Sequence, residues 1–205
     1  MRTETAGVRR GRKFEQVLDG ARAIFLRDGF EGANVDEIAK AAGVSKATLY
    51  SYFPDKRLLF MEMASRQCAL QSESAMTTID PGQPPAVVLP LVARSFLDFV
   101  LSDTGQRIFR ICIAEADRFP DLGRQFYQTG PMFMHRKLTG YLEAARARGE
   151  LKVEDIELAA DQFTELCKAG IWIRAVFGVA AQPGPAEITR VADGAVATFL
   201  ARYGA

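Results

Sequence analysis

The sequence is poor in the residues that build catalytic and metal-binding sites. Among its 205 residues there is one histidine and there are three cysteines, Cys68, Cys112 and Cys167, which lie far apart without CxxC or Cys/His spacing. A structural zinc site needs closely spaced ligands, and a disulfide framework needs an even set of cysteines. We therefore expect no metal centre and no disulfide, and interpret the cysteines as small buried residues in a reducing compartment.

Enzyme signatures are also absent. The sequence contains no nucleophile elbow of the GxSxG type and no glycine-rich loop that would hold a phosphate. Its Asp and Glu pairs have the spacing of ordinary solvated helix faces. These absences argue against an enzyme and against a bound cofactor.

Long apolar runs are missing as well. No segment approaches the roughly 18 apolar residues of a membrane span. The N-terminal residues do not follow the charged, apolar and small-residue order of a signal peptide. We expect a cytoplasmic protein without a membrane partner.

Neither sign of charge is in large excess, but the charges are unevenly distributed. The net formal charge is +1, whereas residues 1–57 hold eleven Lys/Arg against eight Asp/Glu and the remainder fifteen against seventeen. The first thirteen residues contain four arginines and Lys13 but only one acidic residue, Glu4. This pattern predicts a flexible basic arm over residues 1–12 that neutralises DNA phosphates. A solvated, frayed terminus has the same composition and is the alternative.

Apolar residues at helical spacing are plentiful. Those from Phe14 to Phe25 follow the i, i+3, i+4, i+7 pattern, which predicts a first helix of about four turns. Gly29 is expected to end it in a left-handed cap, with Phe30 folding back as the accompanying apolar contact. Asn34 is then the expected N-cap of a short second helix.

The second helix is expected to carry Glu37 as the acid of a capping box and to stop at Gly43, which begins a tight turn. Ser45 is the predicted N-cap of a third helix from Lys46 to about Phe53. Two short helices joined by a glycine turn form a helix-turn-helix, whose second helix enters the DNA major groove with its N-terminal residues leading. A helical hairpin that does not bind DNA has the same pattern, so this alternative remains at this point.

A fourth helix is expected to begin at Asp55, its N-cap, and Lys56. A lysine in the first turn opposes the helix dipole, so its presence calls for a reason beyond helix stability. The positive helix end and the Lys56 ammonium together suit a backbone phosphate.

The segment Asp28–Leu59, DGFEGANVDEIAKAAGVSKATLYSYFPDKRLL, closely resembles the DNA-binding domain of the TetR family of bacterial regulators. The resemblance implies that the start of the third helix faces the groove and that Tyr50 and Lys56 contact the DNA backbone. Ile38, Val44, Leu49 and Phe53 match positions of the protein core. The residues expected at DNA are Asn34, Ser45, Lys46, Ala47, Thr48, Tyr50, Tyr52 and Lys56.

The rest of the chain is predicted to be helical, and no alternating pattern of useful length indicates a β-strand. The fold class is therefore all-α: a three-helix DNA-binding domain over 1–57 and a larger helical ligand-binding and dimerisation domain over 58–205. Residues 110–129, followed by Gly130-Pro131 and Gly149-Glu150-Leu151, resemble the C-terminal domain of an AefR-like subgroup. The expected helices cover 56–77, 86–101, 105–118, 121–129, 131–148, 155–178 and 187–203.

The last two predicted helices carry apolar stripes with small residues at intervals. Two such helices from each subunit suit a four-helix interface on a twofold axis, and a dimer doubles the number of bases read. The alternative is that both stripes face the core of their own subunit. The residues expected at the dimer interface are Phe163, Cys167, Gly170, Ile171, Arg174, Val191, Ala195 and Phe199.

Aromatic and flexible apolar residues gather in the middle helices, where a small-molecule pocket is expected to be mostly apolar with a few polar anchors. At helical spacing these aromatics also suit an ordinary core, and the single histidine also suits a surface or a satisfied core position. The residues expected to line a ligand site are Phe96, Phe99, Phe109, Glu115, Phe126, Met132, His135 and Trp172.

Together the patterns and the resemblance predict a homodimeric regulator that binds a near-palindromic double-stranded DNA operator. The expected activity is repression, relieved when an unidentified small-molecule effector changes the spacing of the two recognition helices. An activator of the same fold and a helical interaction module without DNA binding are the alternatives.

Overall fold

A computed structural model describes residues 11–76, 80–179 and 182–205, which form eleven α-helices. The predicted all-α class is confirmed, since the described residues contain no strand and a single isolated bridge, between Leu151 and Gly204. In chain order the helices are α1 Arg12–Gly32, α2 Val35–Ala41, α3 Lys46–Tyr52, α4 Lys56–Met76, α5 Pro85–Leu101, α6 Asp103–Glu115, α7 Pro120–Thr129, α8 Pro131–Ala147, α9 Ile156–Lys168, α10 Ile171–Phe177 and α11 Pro185–Tyr203.

The chain divides into two compact units. The first contains the described residues up to Gln67 together with Ile111–Phe126, and the second contains Cys68–Arg110 with Tyr127–Ala205. The first unit is thus larger than the DNA-binding domain expected over residues 1–57, because part of α4 and the α6–α7 segment share its core. The boundary of the part that binds DNA stays a prediction.

Helix α1 begins at Arg12 and is interrupted at Gly29, whose φ of 74° and ψ of −177° leave the helical region. The positive φ favours glycine, but the ψ differs from that of the left-handed cap expected from the sequence. The expected contact of Phe30 is present. Its buried ring stacks on Phe25 with a centroid distance of 6.0 Å and meets Phe60 of α4 edge to face at 5.7 Å.

Helices α1 and α2 cross closely at Gly20. A Cβ atom at this position would lie 2.6 Å from the backbone nitrogen of Ala42 and 2.8 Å from its Cβ. These separations are far below van der Waals contact, so α2 reaches its position only because residue 20 has no side chain. The close crossing brings the start of the helix-turn-helix onto α1.

The second unit has its own core, formed by α5, α8, α9 and α11. Near its centre Phe163 and Phe199 pack edge to face with centroids 5.3 Å apart. The prediction of one helix over 155–178 was wrong, because Gly170 takes a φ of 71° and separates α9 from α10. The apolar periodicity continues across this break, which is why the sequence pattern did not reveal it.

Cys112 and Cys167 are free and buried. Burial raises the pKa of the Cys167 thiol to about 12, so this sulfur stays protonated and unreactive near neutral pH. Cys112 and Cys167 therefore match the interpretation of small core residues. The side chain of Cys68 is not among those that the structure describes.

Over residues 11–76, 80–179 and 182–205, no single helix has both the length and the hydropathy that a membrane crossing requires. Helices α5 and α6 meet these criteria only as a pair, across a bend of 64°.

The crossing at Gly20 yields a stability prediction. We expect Gly20→Ala to lower the free energy of unfolding by about 1–3 kcal/mol, because the added methyl group forces α1 and α2 apart. Gly140→Ala is the matched control, since a Cβ at this exposed position in α8 meets nothing within 4 Å. Urea denaturation followed by circular dichroism measures both variants. Equal stability of the Gly20→Ala protein and the wild type would contradict the close crossing.

Candidate nucleic-acid interface

The two short helices α2 and α3 begin with the capping residues expected from the sequence. Asn34 Oδ1 accepts a hydrogen bond of 2.8 Å from the backbone nitrogen of Asp36. Ser45 Oγ accepts one of 3.1 Å from the backbone nitrogen of Thr48. These caps satisfy amide groups that the first helical turn leaves without a partner. The capping-box role of Glu37 was wrong, because its carboxylate pairs with Arg27 of α1.

Helix α3 has a buried face and an exposed face. Leu49 and Phe53 are 2% and 5% exposed, and Phe53 lies against Phe14 of α1 with ring centroids 5.3 Å apart. The sequence had assigned both to the core, as well as Ile38, which is fully buried, and Val44, which is half-buried. The exposed side, which we call the outer face of α3, consists of Ser45, Lys46, Ala47, Tyr50 and Ser51.

The polar groups at the start of α3 are already hydrogen-bonded to one another. Ser45 Oγ and Thr48 Oγ1 are 2.8 Å apart, and the Ser51 hydroxyl donates to the Thr48 carbonyl at 2.6 Å. The bond to Ser45 holds the half-buried Thr48 side chain in one position. The start of α3 therefore presents a preorganised set of small polar groups.

Lys46 pairs with Asp36 of α2. Its Nζ lies 2.8 Å from Asp36 Oδ1, and both side chains are more than half exposed. The hydrogen bond and charge of Asp36 raise the pKa of Lys46 above its ordinary value. The sequence analysis missed Asp36, because the packing of α2 against α3 brings together residues that are not local neighbours on one helix.

Lys56 is expected from the resemblance to bind a phosphate, and in the structure it also contacts the chain itself. Its Nζ donates to the carbonyl oxygens of Glu31 and Ala33, each at 3.2 Å, and lies 4.8 Å from the centre of the Phe30 ring. Desolvation lowers the pKa of this ammonium group. Lys56 thus closes the end of α1, a role that sequence reasoning did not detect. Asp55 caps α4 as expected, accepting from the backbone nitrogen of Leu58 at 3.0 Å.

The two tyrosines expected at DNA differ in exposure. Tyr50 is 42% exposed, while the half-buried Tyr52 packs edge to face on Phe14 at 5.7 Å. Arg12 and Lys13 are exposed in the first turn of α1. The rest of the predicted basic arm, residues 1–10, lies outside the described residues.

The residues expected to line a ligand site are divided between the two units. Glu115 and Phe126 belong to the first unit, where Glu115 is 9% exposed and acts electrostatically on Lys56. Arg118, three residues further along the chain, pairs with Glu31 of α1. Phe126 borders a cavity of about 10 Å³, room for about one water molecule. The cavity is lined by Phe60, Met61, Ala64, Ser65, Cys112, Leu122, Gln125 and Phe126.

In the second unit, Phe109 and Trp172 come together edge to face with centroids 5.1 Å apart, and the Lys168 ammonium lies 4.9 Å from the Trp172 ring. Phe96 packs against the core of this unit. The half-buried Phe99 and Met132 also belong to it.

His135 lies in α8 and faces two carboxylates of α9. Its Nε2 is 3.2 Å from Asp161 Oδ1, and its Nδ1 is 3.5 Å from Glu157 Oε2. The contacts of this side chain are thus with acidic residues of the neighbouring helix.

The residues expected at a dimer interface lie largely inside the second unit. Arg174 pairs with Glu187 of α11 at 2.5 Å, and Gly170 is exposed at the break between α9 and α10. The other six side chains are buried in one chain, as the alternative interpretation of the stripes requires. They are Phe163, Cys167, Ile171, Val191, Ala195 and Phe199.

A capped helix-turn-helix attached to an all-helical second unit defines a class of DNA-binding regulators. Comparison with known families agrees. The family model described as "Bacterial regulatory proteins, tetR family" matches residues 17–63, and "AefR-like transcriptional repressor, C-terminal domain" matches residues 87–205. The chain therefore belongs to the TetR family of bacterial transcriptional regulators.

Solved structures resemble nearly the whole chain. A TetR-family regulator from Mesorhizobium loti has a TM-score of 0.86 and 29% identity, covering 97% of this chain and 100% of its own. The flavonoid-responsive regulator FrrA has a TM-score of 0.75 and 34% identity, covering 95% and 98%. The predicted TetR family is confirmed, and the family model over residues 87–205 also confirms the predicted AefR-like subgroup.

Similarity to curated sequences covers less than half of the chain in the two relatives described next. The transcriptional repressor AcnR of Corynebacterium efficiens is 35% identical over 60 residues, which are 29% of this chain and 32% of AcnR. The chain thus spans about a third of the length of this relative. The transcriptional activator FasR of Mycolicibacterium smegmatis is 32% identical over 93 residues, 43% of this chain and 41% of FasR.

Proposed function

We propose that the protein is a sequence-specific DNA-binding transcriptional regulator that acts in the cytoplasm as a homodimer. The observation that carries this proposal is the outer face of α3, where Ser45, Lys46, Ala47 and Tyr50 are exposed while Leu49 anchors the opposite side. Small and basic groups at the start of a recognition helix suit contacts with base edges and phosphates. Two such helices on a twofold axis read successive major grooves of a near-palindromic operator.

Repression is the proposed direction of regulation. The family model that covers residues 87–205 is described as that of a repressor, and AcnR is named a repressor. Activation is the second candidate, because the name of FasR describes an activator. A reporter gene behind the protein's own upstream region separates the two. Deletion of the regulator raises expression in the first case and lowers it in the second.

The hydroxyl of Tyr50 is proposed to contact a DNA phosphate. We expect Tyr50→Phe to weaken DNA binding about tenfold per subunit and about a hundredfold in the homodimer, because each subunit loses one hydrogen bond to a charged group. The loss should be similar on operator and random duplexes, because a phosphate contact carries no sequence information. Fluorescence anisotropy with labelled duplexes at constant salt measures both.

The control for Tyr50→Phe is Tyr127→Phe, which removes the hydroxyl of another exposed tyrosine, on α7. The control should bind as the wild type does. If the Tyr50→Phe protein binds DNA as tightly as the wild type, Tyr50 does not contact a phosphate through its hydroxyl. Binding that does not respond to salt in the wild type would contradict DNA recognition through phosphates altogether.

The proposed dimer uses the outward side of α11, since its inner stripe is occupied by the core of the second unit. Exposed small residues recur there at helical spacing: Gly194, Ala197, Thr198 and Ala201. Small side chains allow two helices to pack at short interaxial distance. A twofold axis would place this surface against its own copy.

A charge on this surface should separate the subunits. We expect Ala197→Arg to convert a dimer into a monomer at micromolar concentration without unfolding it, because Ala197 is exposed in the single chain. Ala147→Arg, at an exposed position at the end of α8, is the control and should stay dimeric. Sedimentation velocity measures both. A monomeric wild type would contradict the proposed dimer. A dimeric Ala197→Arg protein would show that the interface lies elsewhere than on the outward side of α11.

We also propose that a small aromatic molecule is the effector that releases the protein from its operator. The half-buried Phe109 and Trp172 form an aromatic pair in the second unit, and FrrA, 34% identical, is described as flavonoid-responsive. An effector acts only if it binds the DNA-bound and released states with different affinity. The proposed ligand must therefore lower operator affinity as well as bind.

Trp172 is the single tryptophan of the chain, so its fluorescence reports on one position. We expect members of a flavonoid panel to quench it saturably and to weaken operator binding at the same concentrations. Free tryptophan amide corrects for absorption by the ligand, and Phe109→Leu should weaken the quenching. If no flavonoid gives saturable quenching, this effector class is wrong, while the DNA-binding proposal keeps its own tests.

A further inference from the structure

The contact between Asp36 and Lys46 joins the two helices of the helix-turn-helix at their starts. Asp36 is the second residue of α2, and Lys46 is the first residue of α3. Lys46 Nζ and Asp36 Oδ1 are 2.8 Å apart, with side chains 55% and 61% exposed. Asn34, which caps α2, holds the backbone nitrogen of Asp36 at 2.8 Å and so locates the residue that bears this carboxylate.

Stability does not account for this pair. Ion pairs between exposed side chains contribute about 0–1 kcal/mol to folding. The first turn of a helix also disfavours a cation and favours an anion, so Lys46 is poorly placed for the stability of α3, while Asp36 is well placed for α2. Asp36 offsets the local cost of a lysine that sits on the outer face of α3.

Among the described residues, the groups near this pair have other partners or are not carboxylic acids. Glu37, the next acid of α2, is engaged by Arg27 of α1. Ser45 and Thr48 are bonded to each other. Tyr50 also acts electrostatically on Lys46, but it is not a carboxylic acid. Asp36 is therefore the acid that determines where the Lys46 ammonium lies before DNA arrives.

We propose that Asp36 is a specificity-determining residue that acts through Lys46 by competing with DNA phosphates for its ammonium group. This inference rests on the proposed function. On random DNA, affinity comes from phosphates, and Lys46 must leave Asp36 to add one more such contact. On the operator, Lys46 donates to base acceptors while one of its three N–H groups stays with Asp36. Asp36 thus lowers affinity for random DNA more than for the operator.

The test compares full-length variants on two duplexes. One duplex is enriched by the wild type from a randomised pool of about 30 base pairs, long enough for two half-sites one helical turn apart. The other is a scrambled duplex of the same composition. Dissociation constants are measured by anisotropy over a series of salt concentrations for the wild type and for Asp36→Asn, which removes the charge and keeps the side-chain shape.

Two matched variants separate this role from net charge and from folding. Asp121→Asn makes the same charge change at an exposed residue of α7 in the first unit, where Asp121 pairs with Arg124 at 2.5 Å. Asp36→Glu keeps the carboxylate. Both should retain the wild-type ratio of operator to random affinity. Thermal unfolding of each variant shows whether the fold is intact.

We expect Asp36→Asn to bind the scrambled duplex about fivefold more tightly, with a salt slope steeper by about 1.8, since one further phosphate contact forms in each of the two subunits. Affinity for the enriched duplex should change by less than about twofold, so the ratio falls. In a Lys46→Gln background, Asp36→Asn should leave the salt slope unchanged, because the competed ammonium is gone.

Several outcomes would overturn this role of Asp36. These are equal shifts on both duplexes, an unchanged ratio, an equal effect of Asp121→Asn, or the same effect of Asp36→Asn with and without Lys46. If Asp36→Asn unfolds, a reduced ratio in the folded Asp36→Glu protein decides against it as well. If the wild type enriches no sequence, the proposed function itself fails.

Discussion

The packing of α3 on α1 is the constraint on which the candidate interface depends. A helix of seven residues is too short to be stable alone in water, so its position comes from tertiary contacts. Leu49 is buried, and Phe53 meets Phe14 of α1 at 5.3 Å. These contacts determine which residues of α3 are left exposed, and with them the chemistry of the candidate interface. The close crossing at Gly20 brings α2 to the same support.

Two lysines near this support have opposite surroundings. Lys46 is more than half exposed and shares its charge with a carboxylate, which raises its pKa. Lys56 is half-buried on carbonyl oxygens and the Phe30 ring, and desolvation lowers its pKa. An exposed ion pair such as that of Lys46 contributes little to the free energy of folding, whereas the contacts of Lys56 hold the end of α1. The two cations are thus suited to different roles in one interface.

The final helices of the second unit have a buried side and an exposed side. One side of α9 and α11 supplies buried residues such as Phe163 and Phe199, which pack on each other. The other side of α11 leaves small residues such as Ala197 exposed. An apolar stripe satisfies a core and an interface by the same burial of surface, so its pattern alone does not distinguish them. This ambiguity explains why most side chains expected between subunits lie inside one chain.

The class of protein and the local features of its DNA-binding part could be predicted from the amino-acid pattern alone. The caps at Asn34, Ser45 and Asp55 each depend on groups two or three residues away, so they could be predicted from sequence. Three features became visible only in the folded chain. They are the partners of Lys46 and Lys56, the break at Gly170 and the burial of the C-terminal stripes. These depend on helix crossings and on competition for one core, which bring distant residues together and leave no periodic signal in the chain.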